Sequence, residues 1–171
     1  MDQRLKTAAL LAAAIIVPDQ ITKAVIQQKY ALWASDTVIP GFFNIVHVLN
    51  KGAAFGFLNQ PDTDWQTGFF VAVTIAAVGF IYYLLKTADA GDRFFIWGLG
   101  LVLGGALGNL IDRLRTGLVV DFLDFYIGPY HWPAFNVADI AITCGAFAVL
   151  MSMYMQNKRE RPPKNRRTSA P

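Results

Sequence analysis

Four long apolar segments constrain this chain more than any other feature of its sequence. They cover residues 7–26, 65–85, 94–111 and 137–155. A hydrocarbon core about 30 Å thick is crossed by about 20 apolar residues in an α-helix. The chain is 54% hydrophobic and 16% charged, whereas water-soluble domains are about 25% charged. The sequence therefore predicts an α-helical integral membrane protein with four transmembrane helices.

The basic residues indicate how these helices are oriented. If the N-terminus is cytoplasmic, the inner side carries Arg4, Lys6, Lys86, Arg93 and the six basic residues of the tail, 158–171. The outer side then carries Lys23, Lys29, Lys51, Arg113 and Arg115. The positive-inside rule places both termini in the cytoplasm. Residues 1–157 are predicted to form the membrane domain. The tail is predicted to be disordered and to serve topology and anionic lipid headgroups, without binding nucleic acid.

Two loops face outward in this topology. The first, at about residues 28–64, contains the run "FFNIVHVL" between Gly and Pro turns, which predicts a small β-rich extracytoplasmic subdomain. The second, residues 112–135, ends in the aromatic run "PYHWPAF", which suits the headgroup level.

Polar residues of the first, third and fourth spans and of the second outer loop gather at the outer level. They are Asp19, Asn109, Arg113, Asp121, Asn136 and Asp139. Separate helix caps do not require a common depth, so the coincidence predicts a shared site.

Paired aspartates are the chemistry that this layer favours. Two carboxyl groups in a poorly solvated cleft share one proton; the ionised one can deprotonate water while the neutral one donates to a carbonyl oxygen. The one Glu of the chain, Glu160, is in the tail, so an outer pair must be made of Asp. Asp124, three residues after Asp121, is a rival member of the pair.

Other catalytic arrangements are less favoured. The chain contains no HExxH motif of a zinc protease, and neither His has a plausible Ser partner at its depth. Ser35 with Lys29 or Lys51 remains open as a Ser/Lys pair, although nothing around Ser35 favours it.

A different class of protein also fits the outer Asp residues. A small transporter or lipid-binding module would use them as a proton or cation site, with Arg113 on a phosphate headgroup. Against this alternative, the spans show no inverted repeat, and their inner halves, such as "AITCGAFAVLM", contain few polar residues.

Five sequence blocks at these positions resemble the bacterial lipoprotein signal peptidases, or signal peptidase II family. In chain order they are "DQITK" at 19–23, "NKGAAFG" at 50–56, "GGALGNLIDR" at 104–113, "VVDF" at 119–122 and "FNVAD" at 135–139. Each block is weakly specific, but five in order form a strong signal. The basic tail lies outside the resemblance.

The resemblance implies a role for each matching residue. Asp121 and Asp139 would be the catalytic pair, and the block "VVDF" selects Asp121 over Asp124. Substrate-binding or supporting roles fall to Asn50, Gly52, Asn109, Arg113, Asn136 and Asp19. Asp112 is expected to pair with Arg113 or to cap the third helix.

The implied reaction is cleavage of a prolipoprotein signal peptide before a diacylglyceryl-modified cysteine. It takes place at the outer face of the bacterial inner membrane and needs no metal or organic cofactor. The expected partners are the prolipoprotein substrates, membrane lipids and globomycin-type inhibitors.

Overall fold

Four long helices form the body of the protein. The computed structural model describes residues 2–51 and 65–160, with side chains to residue 158. The helices are α1 (Gln3–Lys29), α2 (Trp65–Thr87), α3 (Arg93–Thr116) and α4 (Val137–Glu160). All four are long and apolar enough to cross a membrane, which confirms the predicted fold class. Each extends beyond its predicted apolar run, because a helix continues past the hydrocarbon once polar residues reach the headgroups.

Glycines let α3 approach α1 closely. A Cβ atom added to Gly104 would lie 2.9 Å from the Cα of Ala12, and one on Gly108 would lie 2.7 Å from Oδ2 of Asp19. Gly100 faces the same helix, so the glycines spaced four apart do form one packing face.

A second set of glycines brings α3 against α4. A Cβ on Gly105 would collide with the backbone oxygen of Ala138, one on Gly98 would lie 2.7 Å from the backbone oxygen of Gly145, and one on Gly145 would lie 2.6 Å from that of Gly98. Because these glycines let α3 pack closely on both α1 and α4, polar groups at the ends of all three helices come within reach of one another.

A four-stranded antiparallel sheet lies at the end of the helices where α1 ends and α4 begins. Its strands are β1 (Ser35–Ile39), β2 (Phe43–Asn50), β3 (Val119–Ile127) and β4 (Tyr130–His131), in the order β1-β2-β3-β4. The predicted β-rich segment supplies β1 and β2. The other two strands come from residues 112–135, for which the sequence predicts only a position at the headgroup level. Apolar and aromatic residues occur both in β-strands and at the headgroup level. Only pairing with β2 shows that this segment forms a strand.

Apolar side chains fasten the sheet to the helices. Ile26 of α1 and Val120 and Phe122 of β3 form a buried cluster, against which Val137 at the start of α4 also packs. In the register between β2 and β3, Val48 lies opposite Asp121 and Asn50 opposite Val119. The sheet therefore holds polar residues of β2 and β3 directly beside the end of the helical bundle.

Candidate active site

Asp121 lies on the buried part of β3, with 3% of its surface exposed. Its Oδ1 accepts a hydrogen bond of 2.7 Å from Nδ2 of Asn136, and its Oδ2 accepts one of 3.0 Å from Nδ2 of Asn50. The strand places this carboxyl group at the junction of sheet and helices, between Asn50 of β2 and Asn136 at the start of α4.

Asp139 lies in the first turn of α4 and forms a reciprocal cap with Asn136. The backbone N–H of Asp139 donates to Oδ1 of Asn136 at 3.0 Å, and the backbone N–H of Asn136 donates to Oδ2 of Asp139 at 3.1 Å. This pattern is that of a capping box. A helix N-terminus stabilises an anion, which explains why a carboxylate is tolerated at the beginning of an apolar span. The other oxygen, Oδ1, accepts 2.8 Å from Nδ2 of Asn109.

Asn136 connects the two aspartates and is completely buried. Its side-chain amide donates to Asp121 while its backbone N–H donates to Asp139. The preceding residue, Phe135, forms a β-bridge with Leu123 of β3, which places Asn136 beside the strand. Both carboxyl groups are therefore held by the same residue, although they come from a strand and a helix.

The surroundings of Asp121 favour its protonated form. Burial is the largest cause, followed by the charge of Asp139, and together they raise the pKa of Asp121 to about 7. The hydrogen bonds from Asn50 and Asn136 and the charge of Lys23 act in the opposite direction. Near neutral pH, Asp121 can therefore exchange a proton.

A buried ion cluster lies behind the aspartates. Lys23 of α1 is 2% exposed, and its Nζ lies 2.9 Å from Oδ2 of Asp19 and 2.7 Å from Oδ2 of Asp112. Oδ1 of Asp19 accepts a hydrogen bond of 2.9 Å from the backbone N–H of Ala138, in the first turn of α4. Asp19 thus joins α1 to α4 in a structural role. Asp112, expected to pair with Arg113 or cap α3, instead pairs with Lys23.

Lys23 is the member of this region that sequence reasoning missed. The distribution of Lys and Arg identifies Lys23 only as a basic residue on the outer side, although it belongs to the block "DQITK". The available signal was the spacing of four residues from Asp19, which places the two charges on one helix face.

Arg113 lies on α3 at the edge of the same group. Its guanidinium carbon is 5.0 Å from the centre of the Phe70 ring on α2, and its charge interacts with those of Asp139 and Asp121. The cation–π contact holds a positive group close to the paired carboxyl groups.

Asp124, the rival carboxylate, belongs to a different set of contacts. It accepts 2.8 Å from Nδ2 of Asn44, and its Oδ1 lies 2.8 Å from Nδ1 of His131. These partners lie within the sheet, so the geometry favours Asp121 as the partner of Asp139.

Gly52 and a Ser35/Lys29 pair are the other site residues that the sequence suggests. Gly52 lies outside the described residues. Ser35 and Lys29 are exposed, on β1 and at the end of α1. Within residues 2–51 and 65–160, no group of three or more His, Cys, Asp and Glu side chains is arranged to hold a metal ion.

Comparison with known proteins identifies the family. A family model described as "Signal peptidase (SPase) II" matches residues 11–155. The chain belongs to the signal peptidase II family. The lipoprotein signal peptidase of Maridesulfovibrio salexigens is 60% identical over 147 residues, covering 86% of this chain and 94% of that protein. That of Oleidesulfovibrio alaskensis is 50% identical over 145 residues, covering 85% and 92%.

A solved structure agrees with this assignment. A structure described as a bacterial membrane enzyme has a TM-score of 0.81 and 33% identity, covering 91% of this chain and 92% of that one. Signal peptidase II enzymes are aspartic-type proteases acting on lipoproteins. The predicted family, the enzyme class and a multi-pass membrane protein are therefore confirmed, and the transporter or lipid-binding alternative is not supported.

Proposed function

We propose that this signal peptidase II family member cleaves prolipoprotein signal peptides before a diacylglyceryl-modified cysteine, using water activated between Asp121 and Asp139. The observation that carries the proposal is the double contact of Asn136, which donates to one carboxyl group through its side chain and to the other through its backbone. Two carboxyl groups tied to one buried residue and differing in environment are suited to acid–base work.

The environments assign different roles to the two aspartates. Asp121 carries the shared proton, because burial and the charge of Asp139 raise its pKa to about 7. We assign the ionised role to Asp139, because its two oxygens accept hydrogen bonds from Asn109 and Asn136 at the N-terminus of α4.

Hydrolysis then proceeds in two steps. Asp139 removes a proton from water as the water oxygen bonds to the scissile carbonyl carbon, and Asp121 transfers its proton to the carbonyl oxygen. In the second step the carbon–nitrogen bond breaks. The proton on Asp139 goes to the cysteine nitrogen that leaves, and Asp121 recovers a proton from a hydroxyl of the intermediate.

The neighbouring polar residues position the peptide and the aspartates. Asn50 and Asn109 hold the carboxyl groups of Asp121 and Asp139 through the hydrogen bonds described above. Arg113, held against Phe70, supplies a cation for peptide carbonyl oxygens. Asp19 supports the start of α4.

The location of the site suits a substrate that arrives within the lipid. With both termini in the cytoplasm, as the distribution of Lys and Arg indicates, the ends of α1 and α3 and the start of α4 lie at the outer face. The acyl chains and signal helix of the substrate then approach through lipid, while water reaches the scissile bond from outside. A globomycin-type inhibitor is expected to occupy the same site.

The proposed substrate class is tested with two synthetic peptides. The purified protein, reconstituted in phospholipid vesicles, should cleave a signal-peptide sequence bearing a diacylglyceryl cysteine and release the peptide before that cysteine, as identified by mass spectrometry. An identical peptide with unmodified cysteine is the matched control. Equal cleavage of both peptides, or cleavage at another bond, would contradict the proposed specificity.

The pH dependence of cleavage tests the proton on Asp121. We expect kcat/KM to fall as the pH rises through about 7, because Asp121 then loses the proton that it must give to the carbonyl oxygen. The measurement is kcat/KM against pH with the lipidated peptide in reconstituted vesicles. A rate that stays constant or rises across this range would contradict the assigned role.

Thermal unfolding in detergent provides an independent check on the same group. Because the pKa of Asp121 is raised from 3.8 to about 7, the folded protein binds this proton more tightly than the unfolded chain. Its stability should therefore fall as the pH rises between these values, by up to about 4 kcal/mol relative to Asp121→Asn, in which residue 121 does not titrate.

A further inference from the structure

Lys23 makes a contact that charge balance alone does not require. Its Nζ already lies against two carboxylates, Asp19 and Asp112, which suffice to compensate a buried cation. The same Nζ also donates a hydrogen bond of 2.9 Å to Oδ1 of Asn109. The ammonium group therefore touches the residue that holds Asp139.

This third contact determines which way the amide of Asn109 points. An ammonium group is only a donor, so it selects the carbonyl oxygen of the amide. Nδ2 of Asn136 donates to the same Oδ1 at 3.3 Å. With its oxygen engaged by two donors, Asn109 must present its NH2 group to Oδ1 of Asp139, and the distance there is 2.8 Å.

We propose that Lys23 is a positioning residue for the peptidase reaction: it fixes the amide of Asn109 so that this amide holds Asp139 as an ionised acceptor. The inference rests on the proposed function and assigns Lys23 no contact with substrate. The ammonium group of Lys23 donates to the oxygen of the Asn109 amide and so opposes a flip of this amide. After such a flip, the amide oxygen would face the carboxylate of Asp139.

The charge of Lys23 also acts on Asp121, where it opposes the effects of burial and of Asp139. Burial is the main influence on the pKa of Asp121 and raises it, as does the charge of Asp139, whereas Lys23 lowers it together with hydrogen bonds from Asn50 and Asn136. Among the described residues, Asp19 from α1 and Asn109 and Asp112 from α3 contact Nζ of Lys23. Lys23 thus acts on the pair through its charge and through Asn109.

The test compares Lys23→Met with variants that separate the contact of Lys23 with Asn109 from the net charge of the Lys23, Asp19 and Asp112 cluster. Lys23→Met/Asp112→Asn removes one positive and one negative charge, so the cluster keeps the net charge of the native trio and remains a test if Lys23→Met alone does not fold. Asp112→Asn is the matched structural control, because it removes an ion-pair partner of Lys23 but leaves the contact with Asn109. Folding is checked by thermal unfolding in detergent.

We expect both Lys23 variants to lose about 10- to 100-fold in kcat on the lipidated peptide with little change in KM, as for displaced catalytic groups. Asp112→Asn should stay within about 3-fold of the native kcat, since it leaves the orientation of Asn109 unchanged. Combining Lys23→Met with Asn109→Ala should reduce kcat no further than Asn109→Ala alone, because residues acting through one contact are not additive.

Several results would overturn this inference. One is a folded Lys23→Met/Asp112→Asn variant with native kcat; another is an Asp112→Asn variant as impaired as Lys23→Met. A third is a combined variant whose loss equals the product of the separate losses. Asp121→Asn is measured in parallel: if it remains active, the proposed function fails, whereas if it is inactive and the Lys23 variants keep native kcat, only the role of Lys23 fails.

Discussion

Asp121→Asn and Asp139→Asn should each lower kcat/KM for the lipidated peptide by at least about 1,000-fold, since each removes an acid or base from the reaction. Asparagine has nearly the same shape as aspartate, and its carbonyl oxygen can keep one of the two hydrogen bonds that each carboxyl group accepts. The proteins should therefore fold and insert into membranes. Cleavage by the purified variants in vesicles is the measurement.

Asp124→Asn is the matched control for this experiment. Asp124 is buried like Asp121, with 7% of its surface exposed. Its partners are Asn44 and His131, which lie within the sheet. We expect it to keep activity within a few-fold of the native protein while losing some stability. If Asp124→Asn were inactive and Asp121→Asn active, the assignment of the pair would be wrong even though the family assignment stands.

Asn136→Ala should produce the second large effect, a loss of about 100- to 1,000-fold in kcat. The substitution removes the donor to Asp121 and also the side-chain oxygen that caps α4. Loss of an N-cap costs about 0.5–2 kcal/mol, so stability should fall as well. Steady-state cleavage kinetics and thermal unfolding measure the two effects separately.

Asn136→Ser separates the two roles of this residue. A serine hydroxyl can still cap the helix but is too short to take the place of the amide at Asp121, so stability should largely recover while kcat stays low. Asn44→Ala is the matched control, because Asn44 also donates to a buried carboxylate, Asp124, at 2.8 Å. A folded Asn136→Ala variant with native kcat would show that this residue does not organise the pair.

The helices were predictable from sequence because the membrane imposes its own length on them. Residues 7–26, 65–85, 94–111 and 137–155 each match the hydrocarbon thickness, and all lie inside the observed helices. For the segment that contains β3, the sequence predicts only a position at the headgroup level. Hydrogen bonds to β2, which come from a distant part of the sequence, made it a strand.

The candidate site was predictable in its members but not in its contacts. Asp19, Asn109 and Asp139 are predicted to share a level, because helix rise converts sequence position into distance along a helix. The role of Asn136 as the link between the aspartates was not visible, because one of its bonds is local to the α4 cap and the other spans 15 residues to β3.

The sequence by itself determined how many helices the chain forms and, through five ordered motifs, the family that it resembles. Only the tertiary structure decided that Asn136 donates to both Asp121 and Asp139, and that Lys23 faces Asn109, 86 residues away. The physical reason is that hydrophobic burial depends on composition along each segment, whereas a hydrogen bond depends on two particular atoms meeting within about 3 Å.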